Sequence, residues 1–340
     1  MSPRRHLRTV LSCSAAALAL VPVLSQAALY VTVIQGLGGQ SEYERQFTDS
    51  RSKIEAASLT ITDADKLFSF SGDAATREAI LAHFKTLTAR MNSDDRAAIY
   101  LVGHGSFDGD TYKFNIPGVD LTAADFKTVL DALPGRNHFL VNTSSTSGAL
   151  VQALLGTDEK ASNPNYVIIA ATRNGIERNA TQFGRFFAEA LSSASADTNK
   201  NQSVSIQEAF DYAQRAVEAY FKDAGRLATE HAQLRGDGAA QFNLSRLNTL
   251  QIAAELSVAD NELRTLLEQR QAINGKIEDL QLRRAELDNA TYLQQLQTLI
   301  LQTAQLTEQI DALQKNASNS NSNSNTDAST APAAEGARQQ

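Results

Sequence analysis

The stretch FLVNTSSTSGAL, residues 139–150, decides how this chain is read. Phe139 to Val141 have the apolar, partly β-branched character of a buried strand. Five small hydroxyl residues follow, Thr143, Ser144, Ser145, Thr146 and Ser147, and Gly148 ends the run before an apolar segment resumes. A strand that stops at such a loop offers a rigid edge on which reactive side chains can be held open to substrate. The bland alternative is a turn whose hydroxyls bond the local backbone.

Working outward, short apolar runs alternate with amphipathic stretches. ALYVTVI (28–34), KLFSF (66–70), AAIYLVG (97–103), HFLVN (138–142) and YVIIAAT (166–172) read as strands. Helices are expected over 40–56, 75–91, 121–133 and 180–194. The second of these places Ile80, Leu81, Phe84 and Leu87 on one side, and the third opens with a start signal at Thr122. Strands that are apolar throughout and alternate with helices imply a mostly parallel sheet with helices on both faces. The fold class is therefore α/β, over residues 28–245.

The ends read differently. Arg4, Arg5 and Arg8 precede an apolar stretch from Val10 to Leu24, and Ser25-Gln26-Ala27 supplies the small residues of a signal-peptidase site. Residues 1–27 are expected to be an export signal cleaved after Ala27, with a start that loosely resembles a twin-arginine signal. That places the mature chain in the periplasm or outside the cell, with no membrane span once the signal is removed. Cys13, the only cysteine, lies in this signal, so the mature chain has no disulfide, no cysteine-rich zinc site and no cysteine nucleophile. A formal charge of −7 gives no general electrostatic case for nucleic-acid binding.

Residues 246–314 form an expected helical arm. Over 247–314 there is no proline and one glycine, Gly275. Leu256, Leu263, Leu266, Ile273, Ile277, Leu280 and Leu287 follow heptad spacing. Leu296, Leu299, Leu306, Ile310 and Leu313 follow it in another register, with the break at DNAT (288–291). This is a coiled-coil arm or a hairpin turning at Asp288-Asn289, and the register break leans toward the hairpin. Its apolar stripe needs a cover, either its own domain or a second copy, so self-association through 247–314 and a protein or peptide partner are expected. From residue 315 the Asn/Ser-rich tail lacks large apolar side chains and reads as disordered.

Two motifs carry chemistry. His104 stands in YLVGHGSFDG directly after a strong strand, where ligands meet an open α/β sheet, and Gly103 and Gly105 flank it. If the strands ending at His104 and at Asn142 are neighbours, His104 and Ser145 share one rim. Together, His104-Gly105 and Thr143-Ser144-Ser145-Thr146-Ser147-Gly148 resemble the paired motifs of legumain-type, caspase-like cysteine peptidases, especially their secreted bacterial relatives. The likeness extends over roughly residues 28–240 and includes AATRNGIERNATQFGRFFAEAL.

The resemblance implies a caspase-like sheet, a Cys/His dyad with His104 as general base, and an oxyanion held by the backbone amides of Gly105 and Ser145. The chain departs from the family at the nucleophile, where Ser145 replaces cysteine, and at the preceding acidic position, which is Thr143. A thiol beside histidine ionises near neutral pH, whereas a serine hydroxyl needs an oriented base. The expectation is a catalytically inactive homologue acting as a binding or scaffold module. The alternative is an active hydrolase using Ser145 and His104.

The second motif is DTNKNQSVSIQE. Asp197, Asn199, Asn201, Ser203, Ser205 and Glu208 fall on positions 1, 3, 5, 7, 9 and 12 of a calcium-loop template. Gln202 stands where the template has glycine. The motif is either a weak calcium site or, preferably, a structural loop that caps the next helix through Glu208. No other cofactor is expected. GLGG (36–39) lacks the remainder of a phosphate loop, and His83, His138 and His231 show no metal-ligand spacing.

Overall fold

The computed structural model describes residues 27–158, 162–163, 165–247, 261–282, 284 and 287–324. Residues 1–26 of the expected export signal, Leu256 of the heptad series and residues 325–340 of the expected disordered tail lie outside the described residues. Residues 315–324 of that tail are helical, continuing the last helix of the arm to Ser324.

Chain order sets up one large sheet. The elements are β1 (Leu29–Gln35), α1 (Ser41–Ser58), β2 (Leu67–Phe70), α2 (Arg77–Arg90), β3 (Arg96–Val102), β4 (Gly105–Phe107), β5 (Tyr112–Phe114), β6 (Leu121–Thr122), α3 (Ala123–Ala132), β7 (His138–Asn142), α4 (Gly148–Leu155), β8 (Tyr166–Ala170), α5 (Phe183–Ala190), β9 (Ser203–Ser205), α6 (Ile206–Asp223), β10 (Gln233–Arg235), β11 (Asn243–Arg246), α7 (Asn261–Leu282) and α8 (Asn289–Ser324). Six strands lie in the order β10-β8-β7-β3-β1-β2. All pairings are parallel except that of β10 with β8.

Side chains alternate between two buried layers, which is why the strands are apolar throughout. Val31, Val33, Ala98, Tyr100, Phe139, Val141 and Ile169 meet α1, α5 and α6 on one face, through Phe47, Ile54, Phe187 and Ala213. Tyr30, Ile34, Ile99, Leu101, Leu140 and Ile168 meet α2, α3 and α4 on the other, through Phe84, Phe126 and Leu150. The expected α/β class, a mostly parallel sheet covered on both faces, is what the chain forms.

Local chemistry sets the helix boundaries. The Thr122 hydroxyl accepts from the Asp125 amide while Asp125 accepts from the Thr122 amide, a reciprocal cap that starts α3 at the expected position. Helix α5 is shorter than the expected 180–194, because residues 171–182 run as a loop along the sheet rim. The antiparallel sheet β4-β5-β6 directly follows His104, and the sequence reading did not find it. Its strands have two or three residues each, too few for periodicity to register.

At the C-terminal end α7 and α8 pack on one another as a helical hairpin. Asp288 Oδ1 accepts from the amides of Ala290 and Thr291, both at 3.0 Å, so the chain turns and recaps at the DNAT break. Leu263, Leu266, Ile273 and Ile277 are half-buried and Leu280 is buried; across from them Leu296, Leu299, Leu306 and Leu313 are half-buried and Ile310 is buried. Among the described residues no helix is long and apolar enough to cross a membrane.

Candidate functional site

Strands β3 and β7 are adjacent and parallel, with Leu101 opposite Asn142, so the loops carrying His104 and Ser145 leave the same sheet edge. Gly105 is needed there for space. A Cβ at that position would lie 2.5 Å from the Ser145 carbonyl oxygen and 2.6 Å from Ser144 Oγ. Gly148 plays the same part against the Arg173 and Asn174 backbone, at 2.3 Å.

The two chemistry-bearing side chains share the rim but not a hydrogen bond. Ser145 is 5% exposed, and its hydroxyl donates to the Gly105 carbonyl at 3.0 Å. The Gly105 amide points at Ser145 Oγ at 3.4 Å, so the expected oxyanion donor faces the Ser145 hydroxyl itself. The half-buried His104 ring is turned toward α1. It lies edge-on to Tyr43 and Phe47, with centroids at 4.8 and 4.9 Å, and bonds the backbone of Gly38. Burial holds its pKa below the ordinary histidine value, and the Gly38 bond opposes this in part.

The hydroxyls of Ser144 and Ser147 are also satisfied internally. Asn142 Nδ2 donates to the Tyr112 hydroxyl at 2.8 Å. That hydroxyl lies 2.8 Å from Ser144 Oγ, which donates back to Asn142 Oδ1 at 2.8 Å. Burial raises the Tyr112 pKa, so the phenol keeps its proton and the ring of donors stays closed. The Ser147 hydroxyl accepts from the Thr172 amide at 3.1 Å, and Thr172 Oγ1 accepts from Gly148 N at 2.9 Å.

Thr143 stands where the resemblance leads one to expect an acidic residue. Its hydroxyl donates to the Leu101 carbonyl at 2.9 Å, and a Cβ at Gly184 would come within 2.8 Å of its side chain. A carboxylate there could not donate to that carbonyl and would be buried beside it, so the surroundings fit a hydroxyl. Thr146 takes a left-handed backbone with φ 56°, and its buried Oγ1 has no hydrogen-bond partner among the described residues. This conformation costs a β-branched residue on the order of 1–3 kcal/mol.

Reasoning from sequence did not foresee the partners that decide the site: Tyr43, Phe47 and Gly38 around His104, Tyr112 and Asn142 around Ser144, or the acidic pair on the rim. In that pair Glu177 Oε1 lies 2.6 Å from His231 Nδ1, and the Glu177 carbonyl accepts the Thr146 amide at 2.9 Å. The neighbouring Glu230 is buried and accepts from the amides of Gln182 and Phe183 at 2.8 and 3.1 Å. Burial lifts its pKa to about 7. These contacts join residues far apart in sequence, and no local pattern announces them.

The calcium-template loop is tied together by its own amides. Asp197 accepts from Asn201 and Gln202 at 3.0 and 2.8 Å, Asn199 accepts from Asn201, and Asn201 accepts from Ser203. Gln202, at the glycine position, has φ 66°. Glu208 Oε1 accepts from Thr198 and Asn199, and Oε2 bonds the amide and hydroxyl of Ser205, whose own hydroxyl accepts from the Glu208 amide. That reciprocal cap starts α6. Among the described residues no group of three or more His, Cys, Asp or Glu gathers as a metal site.

No family model matches this chain and no curated protein matches it. Similar solved structures include protein GSU0716 from Geobacter sulfurreducens, 10% identical over 64% of this chain and 97% of that one, with a TM-score of 0.42. Another is caspase-1 from Spodoptera frugiperda, 11% identical over 62% of this chain and 87% of that one, with a TM-score of 0.40.

Proposed function

We propose that this chain is an exported, caspase/legumain-like peptidase homologue without peptidase turnover, serving as a binding or scaffold module for a protein or peptide partner. One observation carries the reading: the Ser145 hydroxyl donates into the Gly105 carbonyl while the His104 ring is held by Gly38, Tyr43 and Phe47. Serine attack needs its proton removed as the bond forms, and a base turned to another helix does not accept it. The Thr143 setting supports the same view, since no acid remains at the family's acidic position.

The competing hydrolase reading has one observation in its favour. The lowered pKa keeps His104 unprotonated, as a base must be. It requires the ring to leave Tyr43 and Phe47 and reach Ser145. Labelling with fluorophosphonate and acyl probes, together with hydrolysis of Asn- and Asp-containing peptides, separates the two. Neither labelling nor turnover is expected; turnover that disappears in Ser145→Ala overturns the inactive reading.

The arm is assigned to self-association, with α8 as the contacting helix. Export rests on the Arg-rich start, the apolar stretch and the Ser25-Gln26-Ala27 site.

A further inference from the structure

The residue directly after the expected cleavage point is already bound through its backbone nitrogen. Ala28 N donates to Asp95 Oδ1 at 2.8 Å, and the Ala28 carbonyl accepts from Arg96 N at 2.8 Å. The second contact opens the parallel ladder in which Leu29 stands opposite Arg96, so the position of Ala28 is set by the central sheet. Asp95 is 4% exposed, and its other oxygen accepts from Asn92 N at 2.8 Å. Ala27 and Ala28 are half-buried at the edge of this arrangement.

We propose that cleavage between Ala27 and Ala28 creates an ammonium group that Asp95 captures, so that export processing itself completes the fold. A signal peptidase that accepts small residues would catalyse the step. Water adds across the Ala27–Ala28 amide, its hydroxyl going to the Ala27 carbonyl carbon and its proton to the nitrogen. The new carboxylic acid loses a proton and the amine gains one. A neutral amide donor to Asp95 thereby becomes a charged one without moving.

The amide-to-carboxylate bond is already charge-assisted; a full positive charge on the donor adds its Coulomb attraction to the carboxylate. The pair is buried on the carboxylate side, and Asn92 and the fixed backbone of Ala28 hold its geometry, the condition under which such a pair contributes rather than costs. Before cleavage the donors to the buried Asp95 carboxylate among the described residues are amides. Afterwards the carboxylate has a counter-charge. The Ala28–Arg96 contact sets the expected cleavage point directly at the start of the sheet.

The inference depends on export of the chain and not on the catalytic state of Ser145. The first test is N-terminal sequencing of exported protein: a start at Ala28 is expected, and a start elsewhere overturns the proposal. The second compares urea unfolding of a chain that begins at Ala28 with one that retains Ala27, each with Asp95 and with Asp95→Asn. The two share every side chain that touches Asp95 and differ in the charge on the Ala28 nitrogen. With Asp95 intact, the Ala28 start is expected to raise the folding equilibrium constant at least fivefold. Asp95→Asn is expected to erase that difference. A difference below fivefold with Asp95 intact, or one that survives Asp95→Asn, overturns it. The comparison of the two unsubstituted chains remains decisive if Asp95→Asn does not fold.

Discussion

His104 was legible as a residue of interest from its strand end and flanking glycines, and Ser145 was singled out within the hydroxyl run by the family resemblance. Their mutual orientation was not legible. It depends on Tyr43 and Phe47, which come from α1 some sixty positions earlier and turn the imidazole away from the hydroxyl run. With its proton bound to the Gly105 carbonyl, the Ser145 hydroxyl is a structural tie. Ser145→Ala should therefore lower stability by about 1 kcal/mol in urea unfolding, the cost of leaving a partly buried backbone acceptor with one partner fewer. Thr146→Gly should do the reverse. Removing the Cβ strain and the unpartnered hydroxyl at φ 56° is expected to offset the extra backbone entropy and leave stability unchanged or higher by about 1 kcal/mol.

Titrating residues give a further prediction at this scale. Burial holds His83 and His138 at pKa values of about 4, below the ordinary 6.5. His138 Nδ1 accepts from Ala97 N, which favours its neutral form. Between pH 6.5 and 4 the unfolded chain binds more protons at these two sites, so stability is full above pH 6.5 and falls as pH drops toward 4. The loss is on the order of 3 kcal/mol for the fully buried His138. Glu230 works in the opposite sense. Its folded pKa of about 7 exceeds the ordinary 4.5, so its contribution is present below pH 4.5 and lost as pH rises through 7. Glu230→Gln removes that opposing slope. Chemical unfolding at several pH values should show a steeper rise in stability from pH 4 to 7 in the variant than in the parent; an unchanged slope would contradict the assignment.

Among the elements, those whose ends are written in local chemistry were read correctly. Thr122 opens α3 through its exchange with Asp125, and Asp288 recaps the arm at the expected break. Ser205 and Glu208 do the same for α6, and Glu208 also draws residues 198 and 199 onto that helix end. Glu208→Ala breaks the reciprocal cap and releases the loop amides together. It should cost about 2–3 kcal/mol, more than a cap alone, and Ser205→Ala about 1 kcal/mol. Equal losses in thermal or urea unfolding would show that the loop contacts add nothing. The strands β4, β5 and β6 escaped notice because a pair of three-residue strands and a two-residue strand carry no period to detect.

For the molecule as a whole, the arm carries an apolar strip that the hairpin does not cover. The hairpin buries one seam but leaves Leu293, Ile300 and Leu301 of α8 at 51, 52 and 57% exposure. From Asn289 to Thr307 there is no charged residue, although the chain carries a formal −7. A partner chosen by charge has nothing to hold on this face, whereas a second copy meets no local repulsion. An antiparallel pairing centred near Gln297 sets Leu293 of one chain against Leu301 of the other, and the reverse, as two-fold symmetry requires. The strip is roughly 28 Å long at 1.5 Å per residue, which places such a dimer at the small end of specific interfaces. Sedimentation over a concentration range should show a monomer–dimer equilibrium that Leu301→Glu shifts to monomer. A parent chain that stays monomeric throughout the range would rule the pairing out.

Hydrophobic period, turn residues and cap residues are properties of near neighbours along the chain. They were enough to place the central strands, the two-faced sheet, the main helix starts and the turn of the arm, because each depends on a few consecutive side chains. The rim was decided by packing. Parallel strands bring together loops that lie some forty residues apart. Whether His104 meets Ser145 or Tyr43, whether Asp95 meets the nitrogen of Ala28, and whether Glu230 is charged at neutral pH are all set by which distant groups share a small, poorly solvated space. Burial strengthens each of those contacts, and no stretch of sequence reveals burial until the layers have closed around it.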